Sequence, residues 1–302
     1  MKNKFLITIL GPTASGKSSL AIELAKHYNT EIISADSRQF YRGMDIGTAK
    51  VSKSEQEEVV HHFIDVLNLD QNYNAGKFEE DALAVLDRIY SKNDVAILVG
   101  GSGLYLNAVL FGIDPFPEIP REVRLKTLNF YKEHGLQALR DELRQLDPKY
   151  FLEVDLDNPR RLMRALEVCY ASGQAYSNFT NKSAKKREFQ SIKIAYQWSR
   201  ENLYERINNR VDTMIAEGLV AEAQNLFDKK DLSSLDTIGY KEIFEFLEGK
   251  ISKEEAIDLI KRNTRHYAKR QMTWFKKDAE ISWFTPAARI ENFVEFLNAK
   301  MS

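Results

Sequence analysis

The chain opens on a short apolar run, Phe5-Leu6-Ile7-Thr8-Ile9-Leu10, which has the length of a buried strand. Two comparable runs follow, Glu31-Ile32-Ile33-Ser34 and Val95-Ala96-Ile97-Leu98-Val99. Between them, Leu20 and Leu24 fall at helical spacing and predict a helix over 19–28. A short acidic helix is expected over 54–60, and Leu83, Leu86 and Ile89 predict another over 78–90. Alternating strands and helices predict an α/β fold, a parallel sheet with helices on both faces. The pattern then breaks. Three of the seven prolines fall within 114–120, which reads as a linker. Beyond it the spacing predicts helices over 123–133, 136–146, 148–152 and 160–171, the last started by Asp157-Asn158-Pro159. From Ser191 to Trp198 apolar residues alternate with period two, so the sheet is expected to resume near Ile192. Helices over 200–217, 218–227, 240–247 and 253–277 follow, with a last strand over 281–284. The expected organisation is a core of 1–119 and 188–302 with an inserted all-helical module at 120–187.

The first strand runs into Gly11-Pro12-Thr13-Ala14-Ser15-Gly16-Lys17-Ser18, which matches G-x-x-x-x-G-K-[ST] between a strand and a helix. This makes the expected sheet P-loop NTPase-like. Glycines let backbone N–H groups converge on one cavity, and the helix N-terminus adds partial positive charge. Lys17 brings a full charge, and the Ser18 hydroxyl is a candidate ligand for Mg²⁺. These eight residues are therefore expected to bind linked phosphates. Asp36 ends the second strand and begins a polar loop to Lys50 that carries two glycines, at the strand end where open α/β sheets place ligands. The third strand enters a second glycine-rich turn, Gly100-Gly101-Ser102-Gly103. His61 and His62 are adjacent and point in different directions on a regular element, so no shared metal is expected.

Composition narrows the setting. The single cysteine of 302 residues, Cys169, rules out an internal disulfide and a cysteine zinc site. No stretch approaches a membrane helix, and no leader is read before the first strand, so a cytoplasmic protein is expected. Net charge is −1. Its distribution is uneven, because 120–187 holds 14 Lys and Arg against 9 Asp and Glu. A basic run, Lys182, Lys185, Lys186 and Arg187, closes that segment. A net-basic insertion in an acidic chain suits a polyanionic partner.

A P-loop, a nearby aspartate and an inserted helical module fit a small-molecule kinase with a lid, or a transferase that expels diphosphate from a diphosphate ester. An NTP-dependent switch fits less well, since the strand 95–99 ends in Gly-Gly-Ser-Gly where a metal-binding aspartate is needed.

Several blocks together resemble the bacterial tRNA dimethylallyltransferases, also called tRNA isopentenyltransferases. They are Gly11–Ser18, Ile33-Ser34-Ala35-Asp36-Ser37-Arg38-Gln39, Tyr41-Arg42-Gly43-Met44-Asp45-Ile46-Gly47-Thr48-Ala49-Lys50, His61-His62-Phe63-Ile64-Asp65, Gly100–Tyr105, Asn158–Glu167, Ile238-Gly239-Tyr240-Lys241-Glu242 and Lys269–Phe275. They occur in the family's order and cover nearly the whole chain. Ser18 and Ser102 stand where threonine is common in the family, and Val51 where proline is common. The missing cysteines fit a bacterial-type enzyme without the zinc finger of eukaryotic relatives.

The resemblance implies transfer of a dimethylallyl group from dimethylallyl diphosphate to N6 of adenosine 37, in tRNAs that read codons beginning with U. An enzyme prenylating free adenine nucleotides is a neighbouring alternative. It further implies Asp36 as general base, with Thr13, Lys17, Ser18-bound Mg²⁺ and the arginines Arg206, Arg210 and Arg270 facing the diphosphate. Asp36, Ser37, Arg38 and Gln39, then Ser102 and Arg124, then Arg160, Arg161, Leu162, Met163 and Arg164, and finally Ile238, Gly239, Tyr240 and Lys241, match tRNA-facing positions. The anticodon stem-loop is the expected partner of a monomer.

Overall fold

The computed structural model describes residues 3–180 and 184–302. Lys182, part of the basic run, lies outside the described residues. The described chain forms two compact units, Gly112–Lys185 and the remainder. The helical unit thus begins earlier than the expected 120 and ends at Lys185, because the proline-rich stretch belongs to it.

The larger unit contains β1 (Phe5–Leu10), α1 (Lys17–Tyr28), β2 (Ile32–Ser34), α2 (Lys53–Glu58), β3 (His61–His62), α3 (Ala75–Tyr90), β4 (Val95–Gly100) and α4 (Gly103–Phe111). The helical unit supplies α5 (Arg121–Leu146), α6 (Pro148–Phe151) and α7 (Pro159–Ser172). The larger unit resumes with β5 (Gln190–Tyr196), α8 (Arg200–Ala216), α9 (Leu219–Asn225), α10 (Tyr240–Leu247), α11 (Lys253–Phe275), β6 (Ser282–Phe284) and α12 (Ile290–Met301). Six strands form one sheet in the order β3-β2-β4-β1-β5-β6, with every pairing parallel.

The period of two in the central strands explains the layering. In β1, Phe5, Ile7 and Ile9 face a core made with Leu20 and Leu24 of α1 and Phe293 and Leu297 of α12. Leu6 and Leu10 face the opposite core, with Phe78 of α3, Val109 of α4, Ile243 of α10 and Phe275 of α11. Strand β4 divides likewise, Ile97 to the first core and Leu98 to the second. Thr8, fully buried in β1, shares a hydrogen bond with Ser191 on β5 (3.1 Å). The hydrophobic pattern as read above assigns nothing past 284, yet Ile290, Phe293 and Leu297 give α12 an inward stripe at helical spacing.

In the helical unit, α5 and α7 pack through Leu139, Leu143, Leu162, Ala165 and Leu166. Helix α5 is broken at Gly135 (φ 76°, ψ −172°), so the two helices expected there are joined through one non-helical residue. Buried Asp147 caps α6 by accepting from the Tyr150 amide (2.9 Å) and takes both the Ser177 amide (2.6 Å) and hydroxyl (2.9 Å).

The loop after β2 is clamped by a single carboxylate. Glu222 on α9 accepts the backbone N–H groups of Asp45 (3.0 Å), Ile46 (2.8 Å) and Gly47 (2.9 Å) and the Tyr240 hydroxyl (2.6 Å). Lys50, almost fully buried, binds Asp45 (2.6 Å), Asp65 (2.5 Å) and the Tyr41 carbonyl (2.7 Å). Removing the clamp leaves a buried phenol and three amides without their acceptor. Glu222→Ala is expected to destabilise the protein by about 3 kcal/mol, read as a lower denaturant midpoint at unchanged slope, and Glu222→Gln by less.

Candidate active site

The site is built at the carboxyl edge of the sheet. Between β1 and α1 the chain reverses through Gly16 (φ 92°), which stands at the helix N-cap in a conformation that a side chain would strain. The first helical hydrogen bond of α1 runs from Leu20 N–H to the Gly16 carbonyl (3.3 Å). The amides of Lys17, Ser18 and Ser19 therefore have no helical partner and form an anion-binding end. Groups from later in the chain take up the polar backbone on the other side of the loop. Trp198 donates to the Ser15 carbonyl (3.0 Å), and Arg206 Nε donates to the Ala14 carbonyl (2.8 Å) while stacking over Trp198 (4.5 Å). Gln271 accepts from the Thr13 amide (2.9 Å). Ser15 is buried, and its hydroxyl has no hydrogen-bond partner, an orphan donor inside the phosphate loop.

Lys17 turns back on the loop and donates to the Pro12 carbonyl (2.6 Å). Burial, then the positive charge of Arg210, pushes its ammonium down from 10.5 to about 7, against support from Asp36. Arg210 feels the same field: burial and Arg206 work against its charge, and Asp36 works for it. Asp36 lies just past β2, where its carboxylate accepts from the Arg38 amide (3.0 Å) and closes a turn. Tyr267 of α11 completes the group. Its phenol lies beside Ser102 and within reach of the Asp36 charge, and burial and that charge raise its pKa. Two cations, one carboxylate and the loop amides are thus gathered from β1–α1, β2 and α8. A cavity of ≈ 470 Å³ beside them is lined by Ile46, Lys50, Val51, Arg210 and Met214 among others.

The other candidate residues divide by what their side chains already do. Arg206 belongs to the loop through its backbone contact, and Arg210 carries its charge toward Lys17 and Asp36. Arg270 lies on the exposed face of α11 over the Tyr267 ring (5.7 Å), beside a cavity of ≈ 400 Å³ shared with His266, Lys269 and Thr273. Its neighbour Gln271 reaches the loop instead, because adjacent helical residues face different ways. Gln39 is buried, and its amide is spent on the carbonyls of Thr48 (3.2 Å) and Ala49 (3.0 Å). Arg38 holds the carbonyls of Ser233 (3.2 Å) and Ser234 (2.9 Å). Tyr240 and Leu162 are fully buried, so both support the surface without forming it. Lys241 pairs with Asp236 (2.8 Å), and the Gly239 amide is capped by Glu242 (2.8 Å). Arg187, read as part of the basic run, makes a buried ion pair with Glu79 (2.8 Å). In the helical unit, Arg124, Arg160 and Arg161 are exposed, and Arg164 sits over Phe116 (5.4 Å).

Parallel strands with a phosphate-loop motif after the first, and a carboxylate and a half-buried arginine beside it, define a P-loop NTPase-like α/β protein. A family model described as IPP transferase matches residues 39–278. A tRNA dimethylallyltransferase of Christiangramia forsetii is 46% identical over 300 residues, covering 99% of both chains. The crystal structure of a full-length tRNA isopentenylpyrophosphate transferase from Bacillus halodurans is similar at TM-score 0.72 and 38% identity, covering 99% of this chain and 97% of that one. A eukaryotic dimethylallyltransferase acting on tRNA is similar at TM-score 0.80 and 27% identity, covering 94% of this chain and 74% of its own. The chain belongs to the IPP transferase family.

The depressed Lys17 gives the loop a pH signature. Below about pH 7 the free protein holds an ammonium there, and above it a neutral amine. A bound polyanion raises that pKa, so binding above neutrality takes up a proton. Pyrophosphate affinity is expected to fall as pH rises between about 7 and 9, by up to roughly tenfold per unit. Calorimetry in buffers of different ionisation enthalpy should show the uptake, and Lys17→Met should abolish it. A flat affinity across that range would contradict the assignment.

Proposed function

We propose that the protein transfers a dimethylallyl group from dimethylallyl diphosphate to N6 of the adenosine at position 37 of tRNAs that read codons beginning with U. The observation that carries the reading is the placement of Asp36 where its charge acts on both Lys17 and Arg210, beside a phosphate loop that Arg206 also contacts. A carboxylate there suits a proton-losing acceptor next to a departing diphosphate. In the reaction, the bond from the allylic carbon to the diphosphate oxygen breaks and a bond from N6 to that carbon forms. The amine is a weak nucleophile, and its proton goes to Asp36 as the bond forms. Diphosphate leaves with the electron pair and gathers negative charge. The α1 amides, Lys17 and Arg210 offset that charge at fixed positions, and Arg206 holds the loop carbonyl behind them.

Mg²⁺ is part of the proposal. Ser18 is exposed on the first turn of α1, and among the described residues no group of three or more His, Cys, Asp or Glu forms a protein cage for a metal. The Ser18 hydroxyl would hold the ion, being a hard oxygen donor of the kind Mg²⁺ takes. When bound, it would neutralise charge on the leaving diphosphate. Ile46, Val51 and Met214 give the neighbouring cavity an apolar wall for the prenyl chain, where water is a competing nucleophile.

The acceptor base must leave its stack to reach Asp36, at a cost of a few kcal/mol. Ser37 and Ser102 flank Asp36 and Tyr267 and are available to the extruded nucleotide. Arg124, Arg160, Arg161 and Arg164 of the helical unit contact the phosphates of the anticodon stem-loop. A kinase reading accounts for the loop and leaves the exposed arginines of the helical unit, Arg124, Arg160 and Arg161, without a role. The protein is taken to act as a cytoplasmic monomer.

The decisive experiment uses labelled dimethylallyl diphosphate with an anticodon stem-loop carrying an A-A-A run, against the same RNA with guanosine at the acceptor position. Label is expected only in the adenosine RNA. Label in free AMP or ATP, or ATP consumption with a small acceptor, would overturn the reading. Asp36→Asn keeps the acceptor for the Arg38 amide and should lower kcat by about 10²–10⁴ while RNA binding persists.

A further inference from the structure

Gln271 lies on α11 among Ala268, Met272 and Phe275, and only 7% of it is exposed. Its Oε1 accepts from the Thr13 amide (2.9 Å), and its Nε2 donates to the Gly101 carbonyl (2.8 Å). The partners fix the orientation of the side-chain amide, since one is a donor and the other an acceptor. A Cβ on Gly101 would fall 2.4 Å from Nε2, so the second glycine of that turn is what admits the side chain.

The Thr13 N–H and the Pro12 carbonyl belong to one planar peptide group and point to opposite sides of it. Gln271 holds the first, and the Lys17 ammonium holds the second (2.6 Å). The next residue, Ala14, sits at φ 62°, a left-handed conformation that a non-glycine residue keeps only when its surroundings impose it. We propose that Gln271 is a positioning residue that ties the Pro12–Thr13 peptide plane to the end of β4, and through that plane sets the shape of the phosphate loop and the station of Lys17. The consequence for chemistry builds on the prenyl-transfer reading, but the effect on anion binding does not depend on it.

Inorganic pyrophosphate is therefore the probe, with binding measured by calorimetry. Gln271→Met keeps volume and loses both hydrogen bonds. It is expected to weaken pyrophosphate binding about tenfold. In prenyl transfer it should raise the donor KM by a similar factor while the RNA KM stays within about twofold. Gly101→Ala displaces the amide from the other end, and its Cβ also approaches the Gly11 carbonyl of the loop (3.2 Å). Its loss should be at least that of Gln271→Ala, and the double variant should lose no more than Gly101→Ala alone. Pyrophosphate affinity like wild type in Gln271→Met would overturn the proposal, as would losses that multiply in the double variant. A wild type that transfers no prenyl group, with Gln271→Met still impaired for pyrophosphate, would refute the reaction and leave the strut standing.

Discussion

Every strand of this sheet runs in one direction, and that constraint organises everything else. A parallel sheet sends all its carboxyl ends to a single edge. The phosphate loop after β1, Asp36 after β2 and the Gly100–Gly101 turn after β4 are therefore neighbours, although the chain separates them widely. Both faces are covered by helices, so the central strands β1 and β4 are mostly apolar, with Thr8 the polar residue buried in β1. Helices α8 and α11 then reach the same edge from outside, bringing Arg206, Arg210, Tyr267 and Gln271.

The electrostatics at that edge are unfavourable for the resting protein. Lys17 and Arg210 are crowded together with limited access to water, and Asp36 is the acidic group whose charge supports both. A site that strains its own cations is prepared for an anion, because the arriving charge relieves a penalty already present in the folded chain. The orphan Ser15 hydroxyl belongs to the same picture, a donor buried before any acceptor arrives.

Much of this was legible in the residues. The loop from Gly11 to Ser18 declared itself by motif and context, and the alternation in β1 and β4 named the layers. Asp36 was placed by the rule that ligands gather at strand ends. What the pattern missed has physical reasons. Gln39 donates to carbonyls of its own loop, and Arg38 to the Ser233 and Ser234 carbonyls far along the chain, contacts that only folding brings together. Arg270 and Gln271 differ by one helical step, which reverses inside and outside. The signal for Gln271 is a polar residue on an otherwise apolar stripe, between Ala268 and Phe275. The Glu222 clamp could not be read at all, since it joins α9 to a turn whose shape appears only after folding.

The sheet also ends in a way that matters outside catalysis. Its outermost members are β3, two residues long, and β6, three residues long. Long unpaired edges are templates on which a second chain can lay a strand. Here β1 and β4 lie inside the sheet and β5 is covered by β6 over Ile194–Tyr196, so a nascent or stressed copy finds only short lengths of free ladder to extend. The same truncation that makes the margins of the sheet unimpressive as structure makes them poor nuclei for aggregation.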